Sequence, residues 1–374
     1  MAGRRPAALA ALALLTGCGG SGPAAEPALT ASSADVRALP TVAPTQLPPE
    51  RRITVAASGD FLIHQPLWSR ALADGGGRYD FRPQLRAIAP VIRRADLALC
   101  HVETPLVPGA PSGYPVFRTP PALAQAIKWA GWDACSTASN HTVDAGQRGI
   151  DSTRRALGRA GLRHTGGFST AAQQRRITML RVRGIRVAFL SYTAVSNGIP
   201  SPHPWSLNVA EPRRILGEAR RARRQGASVV IVNLHWGDEY AHAPSAAQLA
   251  LARRLAASER ITAVVGQHAH VVQPIAKVRG MTVVFGEGNL TSNQDAGCCP
   301  AASQDGIVAM LRIAVRGDRA RVVRVRAIPT FVRHPDYVVL PVRHALRHGY
   351  GDAGQLRASL RRTRAALGTR VPSG

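Results

Sequence analysis

The stretch Ile261–Pro274, ITAVVGQHAHVVQP, decides how the rest of the chain is read. An apolar run rich in β-branched residues ends at Gly266, and His268-Ala269-His270 follow almost at once. In an extended strand, residues i and i+2 point to the same side. Two imidazoles are therefore expected on one side, at the carboxyl end of a buried strand. That is where open α/β sheets collect their chemistry.

The same grammar repeats outward from there. Strand patterns are read at 52–60 (RITVAASGD), 95–103 (ADLALCHVE), 132–140 (WDACSTASN), 185–193 (IRVAFLSYT), 228–237 (SVVIVNLHWG) and 281–289 (MTVVFGEGN). Between them, 149–161, 211–226 and 245–259 are Ala- and Arg-rich and helical in pattern. Strand and helix in alternation predict an α/β fold with largely parallel pairing. Residues 306–332 differ: two alternating runs around Arg316-Gly317-Asp318-Arg319 predict an antiparallel hairpin. The tail from His344 reads as one basic helix and a loose end.

The chain has 374 residues and a formal charge of +26, nearly all of it arginine, because lysine occurs only at Lys128 and Lys277. Such a surplus suits anionic lipids or polycarboxylates. It equally suits a codon-biased surface. Nucleic acid is not the expected partner: no zinc finger or RNP-type sequence is present, and aromatics make up only 5%.

The N-terminus predicts export. Arg4 and Arg5 precede an apolar run from Ala7 to Leu15, too short for a mature membrane span. Leu15-Thr16-Gly17-Cys18 resembles a bacterial lipobox, which makes 1–18 a lipoprotein signal peptide and Cys18 the lipidated residue. Residues 19–51, rich in Gly, Ala, Ser and Pro, read as a disordered tether. The body is expected at 52–343 and the basic tail at 344–374. Placement on the outer face of the cell membrane permits disulfides. Cys100 and Cys135 lie near the ends of consecutive strands and pair if those strands are neighbours. Cys298 and Cys299 sit in a long polar loop, 291–306.

The residues after each strand are of one chemical kind. They include Asp60 and His64, His101 and Glu103, Asn140, His141 and Asp144, His235, Asp238 and Glu239, His268 and His270, and Asn289. Singly, each has a structural reading: a strand-end His bonded into the core, Asn140 capping a helix, Glu103 as solvated charge. Together they are the donors that Zn, Mn or Fe take. Asp, Glu, Asn and several His suffice for one or two divalent ions, which activate water and clamp an oxyanion, typically at phosphorus.

The segments GDFLIH, VETPL, ASNHTVDAGQRG, HWGDEYAHAPSAAQ, GQHAHVVQP and GN, in this order, resemble the bacterial CapA family of capsule-synthesis proteins. That family is associated with poly-γ-glutamate capsules and belongs to the calcineurin-like metallophosphatase superfamily. The resemblance runs from Ile53 to Pro341. It implies a layered β-sandwich flanked by helices, α/β/β/α. It also implies a metal set of Asp60, Glu103, Asn140, His235, His268 and His270, with Asn140 and His141 as the catalytic pair. Two positions depart from the superfamily pattern. Leu62 stands where a ligating His belongs, so His64 is the nearest substitute, and His101 stands where Asn is more usual.

Tyr240, His242 and Asn289 are expected on the substrate side, with Asp144 and Glu239 orienting ligating histidines. Activity is expected to fall below about pH 6.5, where free imidazoles protonate. Three functions stay open. The first is a lipid-anchored capsule-synthesis protein that meets an anionic polymer such as poly-γ-glutamate, with membrane synthase partners. The second is a secreted phosphoesterase of another substrate, and the third a non-catalytic polyanion-binding scaffold.

Overall fold

The computed structural model describes residues 49–368, together with Gly19 and Gly22. The signal segment with Cys18, and the tether up to residue 48 apart from those two glycines, lie outside the described residues.

Four parallel strands come first: β1 (Arg51–Phe61), β2 (Leu97–Val102), β3 (Ala134–Ser136) and β4 (Arg163–Thr165). A second sheet follows: β5 (Thr178–Val182), β6 (Ile185–Thr193), β7 (Val229–Trp236), β8 (Ala263–His268), β9 (Ile275–Val278) and β10 (Met281–Val284), in the order β5-β6-β7-β8-β10-β9. Its four inner strands are parallel. The chain then returns to the first sheet with β11 (Asn289–Thr291), β12 (Asp305–Arg316), β13 (Arg319–Arg333) and β14 (Val338–Pro341). The first sheet is ordered β14-β13-β12-β1-β2-β3-β4, and β11 pairs in parallel with the end of β1.

The sheets pack face to face through Val55, Leu99, Phe189, Ile231, Val265 and Leu311. The helices Gln65–Asp74 and Ala122–Ala130 cover the outside of the first sheet, where Leu67, Ile127 and Trp132 are buried. The helices Pro212–Arg224 and Ala246–Ala256 cover the second through Ile215 and Leu255. The expected α/β/β/α layering is the observed one. Because both faces of the inner strands are covered, β7 is buried along all eight residues and reads as an apolar run rather than an alternation.

The hairpin forms as expected, with β12 and β13 paired from Arg316↔Arg319 to Asp305↔Phe331. The tail does not form one helix. It makes two, Val342–His348 and Ala353–Leu367, because Gly349 and Gly351 take φ of +68° and +86° between them. Leu356 of the second packs with Phe331 and Leu340, and Arg362 donates to Asp305 at 2.7 and 2.9 Å. Cys100 and Cys135 face each other in β2 and β3 and are joined by a disulfide, whereas Cys298 and Cys299 are free thiols. Among the described residues, no helix is long and apolar enough to cross a membrane.

Candidate metal centre

Asp60 is presented by a close passage of two strands. A Cβ on Gly59 would stand 1.8 Å from the Gly288 carbonyl oxygen, so only glycine lets β1 pass there. The register of β1 then slips before Asp60, which sits level with His101 of β2 and Asn289 of β11. Glu103 lies two residues beyond His101. On the other sheet, a Cβ on Gly266 would stand 2.0 Å from the Phe285 oxygen. That constriction brings β8 to its end at His268.

His268 and His270 converge, but not through the pleat that the sequence suggests. Their φ angles are +91° and +54°, in the left-handed region. Such positions cost on the order of 1–3 kcal/mol each and persist only where the surroundings dictate them. A turned backbone places the two rings 5.9 Å apart. The His268 N–H also donates to Asp60 Oδ2 at 3.2 Å, which ties the two sheets together.

Around Asp60 the distances are short and mutual. Oδ1 lies 3.7 Å from His101 Nε2 and 4.0 Å from His235 Nδ1, and Oδ2 lies 3.4 Å from His270 Nδ1. Glu103 Oε1 lies 3.9 Å from His235 Nε2 and 3.8 Å from His270 Nε2. Three ligand triads result: Asp60–His101–His235, Asp60–Glu103–His270 and Glu239–His268–His270. Asp60, rather than Glu103, is common to two of them.

Hydrogen bonds at the back of each ring fix which nitrogen faces inward. Ser136 Oγ gives its proton to the Cys100 carbonyl (3.1 Å) and therefore accepts from His101 Nδ1 (2.8 Å), leaving the Nε2 lone pair toward Asp60. Asn140 donates through Nδ2 to Asn197, so its Oδ1 accepts from His235 Nε2 at 2.8 Å and His235 Nδ1 is left inward. Asn289 donates to Gln294 and Ser303 and accepts from His270 Nδ1 at 3.0 Å. Buried polar atoms ordinarily have partners. Here Asp60 Oδ1, both Glu103 oxygens, His101 Nε2, His235 Nδ1 and His268 Nδ1 have none. Two carboxylates and inward imidazole lone pairs, held from behind, fit a divalent metal of the Zn, Mn or Fe kind.

The electrostatics agree. Burial holds the His101 imidazole down to about 4 and that of His268 down to about 3, and it pushes His235 well below its ordinary value. These rings are neutral, as ligation requires. Burial lifts Glu103 well above the carboxylate range. Burial opposes charge on His270 as well, but Glu103 and Asp60 outweigh it and raise the ring to about 9. Without metal, the Asp60–Glu103–His270 triad thus retains a proton on the imidazole, held there by Glu103 first and then by Asp60.

The other expected residues separate into two groups. Asn140 acts on His235 and is not a helix cap, since the following helix starts at Gly146. His141 stands at the mouth, its Nδ1 donating to Asp144 Oδ2 at 2.8 Å. Tyr240 reaches the His270 ring at 6.3 Å and accepts from Gln294, and exposed Glu239 completes the outermost triad. His64 is in none of the triads: Nδ1 accepts from the Asn293 N–H at 3.3 Å, and the ring sits edge-on to Phe117. His242 turns away to the Val272 carbonyl.

His101 is among the strand-end donors but not in the metal set that the resemblance implies, although its spacing to Glu103 is the i, i+2 spacing used for His268 and His270. Sequence reasoning missed Glu287, fully buried and held well above the carboxylate range by burial, which accepts from Gln267 at 2.6 Å behind the centre. A charged residue inside the run MTVVFGEGN was the available signal.

Two packed sheets lie between helices, and the strand ends of both carry candidate metal ligands. The chain belongs to the family described as bacterial capsule synthesis protein PGA_cap, whose model matches residues 54–294. It is 26% identical over 270 residues to the capsule biosynthesis protein CapA of Bacillus anthracis, covering 69% of this chain and 64% of that protein. It is 28% identical over 176 residues to the PGA biosynthesis protein CapA of Bacillus subtilis, covering 45% and 44%. With a probable polyglutamine synthesis accessory protein of Mycobacterium tuberculosis it shares 27% over 173 residues, covering 43% and 45%. The matches thus span less than two thirds of each relative's length. Among solved structures it is similar to the calcineurin-like phosphoesterase YfkN of Bacillus subtilis, at TM-score 0.49 and 15% identity, covering 83% of this chain and 100% of that one.

Proposed function

We propose that the protein is a membrane-anchored, extracellular member of the poly-γ-glutamate capsule machinery whose buried centre holds one or two divalent ions. The observation that carries the metal is the set of unpartnered carboxylate and imidazole atoms around Asp60. Leaving such groups buried and unpaired is costly, and a cation relieves all of them at once. Family membership and the relatives' names support the capsule setting. The lipobox at Cys18 supports the anchor, and the Cys100–Cys135 disulfide suits an oxidising compartment.

When bound, the metal would supply Lewis acidity and an activated water. Asp60, Glu103, His101, His235, His268 and His270 would hold it. At the mouth, Asp144 accepts from His141 Nδ1 and would stabilise the doubly protonated ring, from which Nε2 would pass its proton to a leaving oxygen and return to the neutral form. Asn140 and Asn289 hold the rings of His235 and His270 in place.

Elemental analysis of the chain, purified without chelator, is the deciding experiment. One or two equivalents of Mn, Fe or Zn are expected, with loss in His268→Ala. No metal, even after reloading, overturns the reading of the centre. Cys18→Ser is expected to move the protein from the membrane to the soluble fraction, and retention at the membrane overturns the anchor.

A further inference from the structure

A second cavity, of about 270 Å³, lies on the outer side of the first sheet, away from the strand ends that carry the centre. Three separate segments meet there: the turn after the helix Ala89–Ile92, strand β13 and the helix Val342–His348. They contribute Arg94, Arg326, Arg343 and Arg347, together with His344, over an apolar floor of Ala87, Val91, Ile328 and Pro341. Among the described residues, no carboxylate lines it. Among the described residues, Arg94, Arg326 and Arg347 have no acid within ion-pair distance, although the protein forms such pairs elsewhere, as at Arg362–Asp305. Burial first, and then the charges of Arg364, Arg326 and Arg347, depress the Arg343 guanidinium.

The crowding continues along the same face. Arg324, two residues from Arg326, is directly opposite Arg312 in the antiparallel pair; both are exposed, and neither has an acidic partner among the described residues. Like charges set opposite one another across a sheet are destabilising. Nothing in the packing demands arginine at these exposed positions. An anion bound there would relieve that repulsion.

We propose that this cavity and the adjoining Arg312–Arg324 stretch form a binding site for a polycarboxylate chain, a polyglutamate in particular. The inference rests on the capsule reading of the protein and names a second, non-catalytic contact with its polymer. The shape of the site argues for a polymer over a small ion. The cavity falls just under the range of about 300–1,000 Å³ that encloses a drug-sized ligand, so it takes a short stretch of a longer molecule. Its floor is apolar, which suits the methylene groups between the carboxylates of a glutamate polymer. Inorganic polyphosphate carries no such groups. Guanidinium forks pair with carboxylates in bidentate fashion.

The test uses the full-length protein and poly-γ-glutamate of defined length, read by binding alone at several salt concentrations. Arg326→Gln with Arg347→Gln is compared with Arg253→Gln and Arg254→Gln, which remove the same charge from the helix Ala246–Ala256. The first pair is expected to weaken polymer binding at least tenfold and to reduce its salt dependence, and the second to change it little. Equal loss in both pairs would reduce the effect to net charge and overturn the site. Failure of the unsubstituted protein to bind, or tighter binding of polyphosphate with the same arginine dependence, would also overturn it. So would loss of binding to phosphatidylglycerol vesicles in the Arg326/Arg347 pair alongside unchanged polymer binding. His268→Ala is expected to bind polymer normally, so an inactive or metal-free centre would sink the catalytic reading and leave this one standing.

Discussion

The strand ends around Asp60 and the outer face of the β12–β13 hairpin are both electrostatically incomplete, but in opposite settings. At the strand ends, carboxylates and imidazoles are sealed between two sheets with lone pairs unpartnered. On the hairpin face, guanidiniums crowd together in solvent with no acids among them in the described residues. Burial makes the first imbalance expensive and short-ranged, so only an ion seated within bonding distance relieves it. Exposure makes the second cheap, diffuse and sensitive to salt, so it suits a long anion held at many points. The difference shows how to tell a centre that must be filled from a surface that is merely receptive.

The sharpest attempt to break this contrast is Asp60→Ala. Asp60 is shared by two triads and receives the His268 N–H, so metal affinity is expected to fall about 100-fold or more, beyond the usual cost of losing an orienting residue. Unchanged metal content would show that the buried set is not a ligand set.

Next in size is the effect of pH on metal uptake. Ligation needs a neutral His270, whose proton is held up to about pH 9 by Glu103 and Asp60 in the metal-free chain. Apparent affinity is therefore expected to climb as pH rises from about 6.5 to about 9, by up to tenfold per unit, and then to level. His101 and His268, at about 4 and 3, add no proton competition in that window. This moves the expected loss upward from the fall below 6.5 that free imidazoles suggest. Chelator competition across the range checks it, and a flat profile would refute the triad.

Ser136→Ala should have a smaller effect, on the order of tenfold in metal affinity, because it frees the His101 ring to turn without removing a ligand. An unchanged affinity would take His101 out of the centre. Smallest of all is Arg312→Glu. An acid opposite Arg324 should stabilise the hairpin by about 0.2–1 kcal/mol in thermal unfolding, and metal content should stay as it was. A lower melting temperature would mean that the arginines are not in conflict.

Much of the architecture was legible because buried parallel strands announce themselves as apolar runs, as β7 and β8 do. The polar residues closing those runs led to Asp60, Glu103, His235, His268 and His270, which the structure brings together. What could not be read depended on backbone direction. His64 follows β1 after a short turn, and that turn delivers it to Asn293 instead of Asp60. The convergence of His268 and His270 depends on left-handed φ angles that the letters do not encode. His101 was readable, since it stands level with Asp60 in a parallel pair, but that register exists only once β1 and β2 are known to be neighbours. The two-helix tail was signalled by Gly349 and Gly351, with only Tyr350 between them.

The link between the His268 amide and Asp60 spans 208 positions of chain, and Asp60 also sits beside Asn289. Contacts so distant in sequence form late, after the intervening chain has ordered. During synthesis, a ribosome that has released β1 and β2 has delivered two acids and one histidine with nowhere to seat an ion. The centre comes into being only when β8 and β11 arrive. A metal held as proposed would then be taken up by the finished molecule, because the residues that would hold it meet only across both sheets.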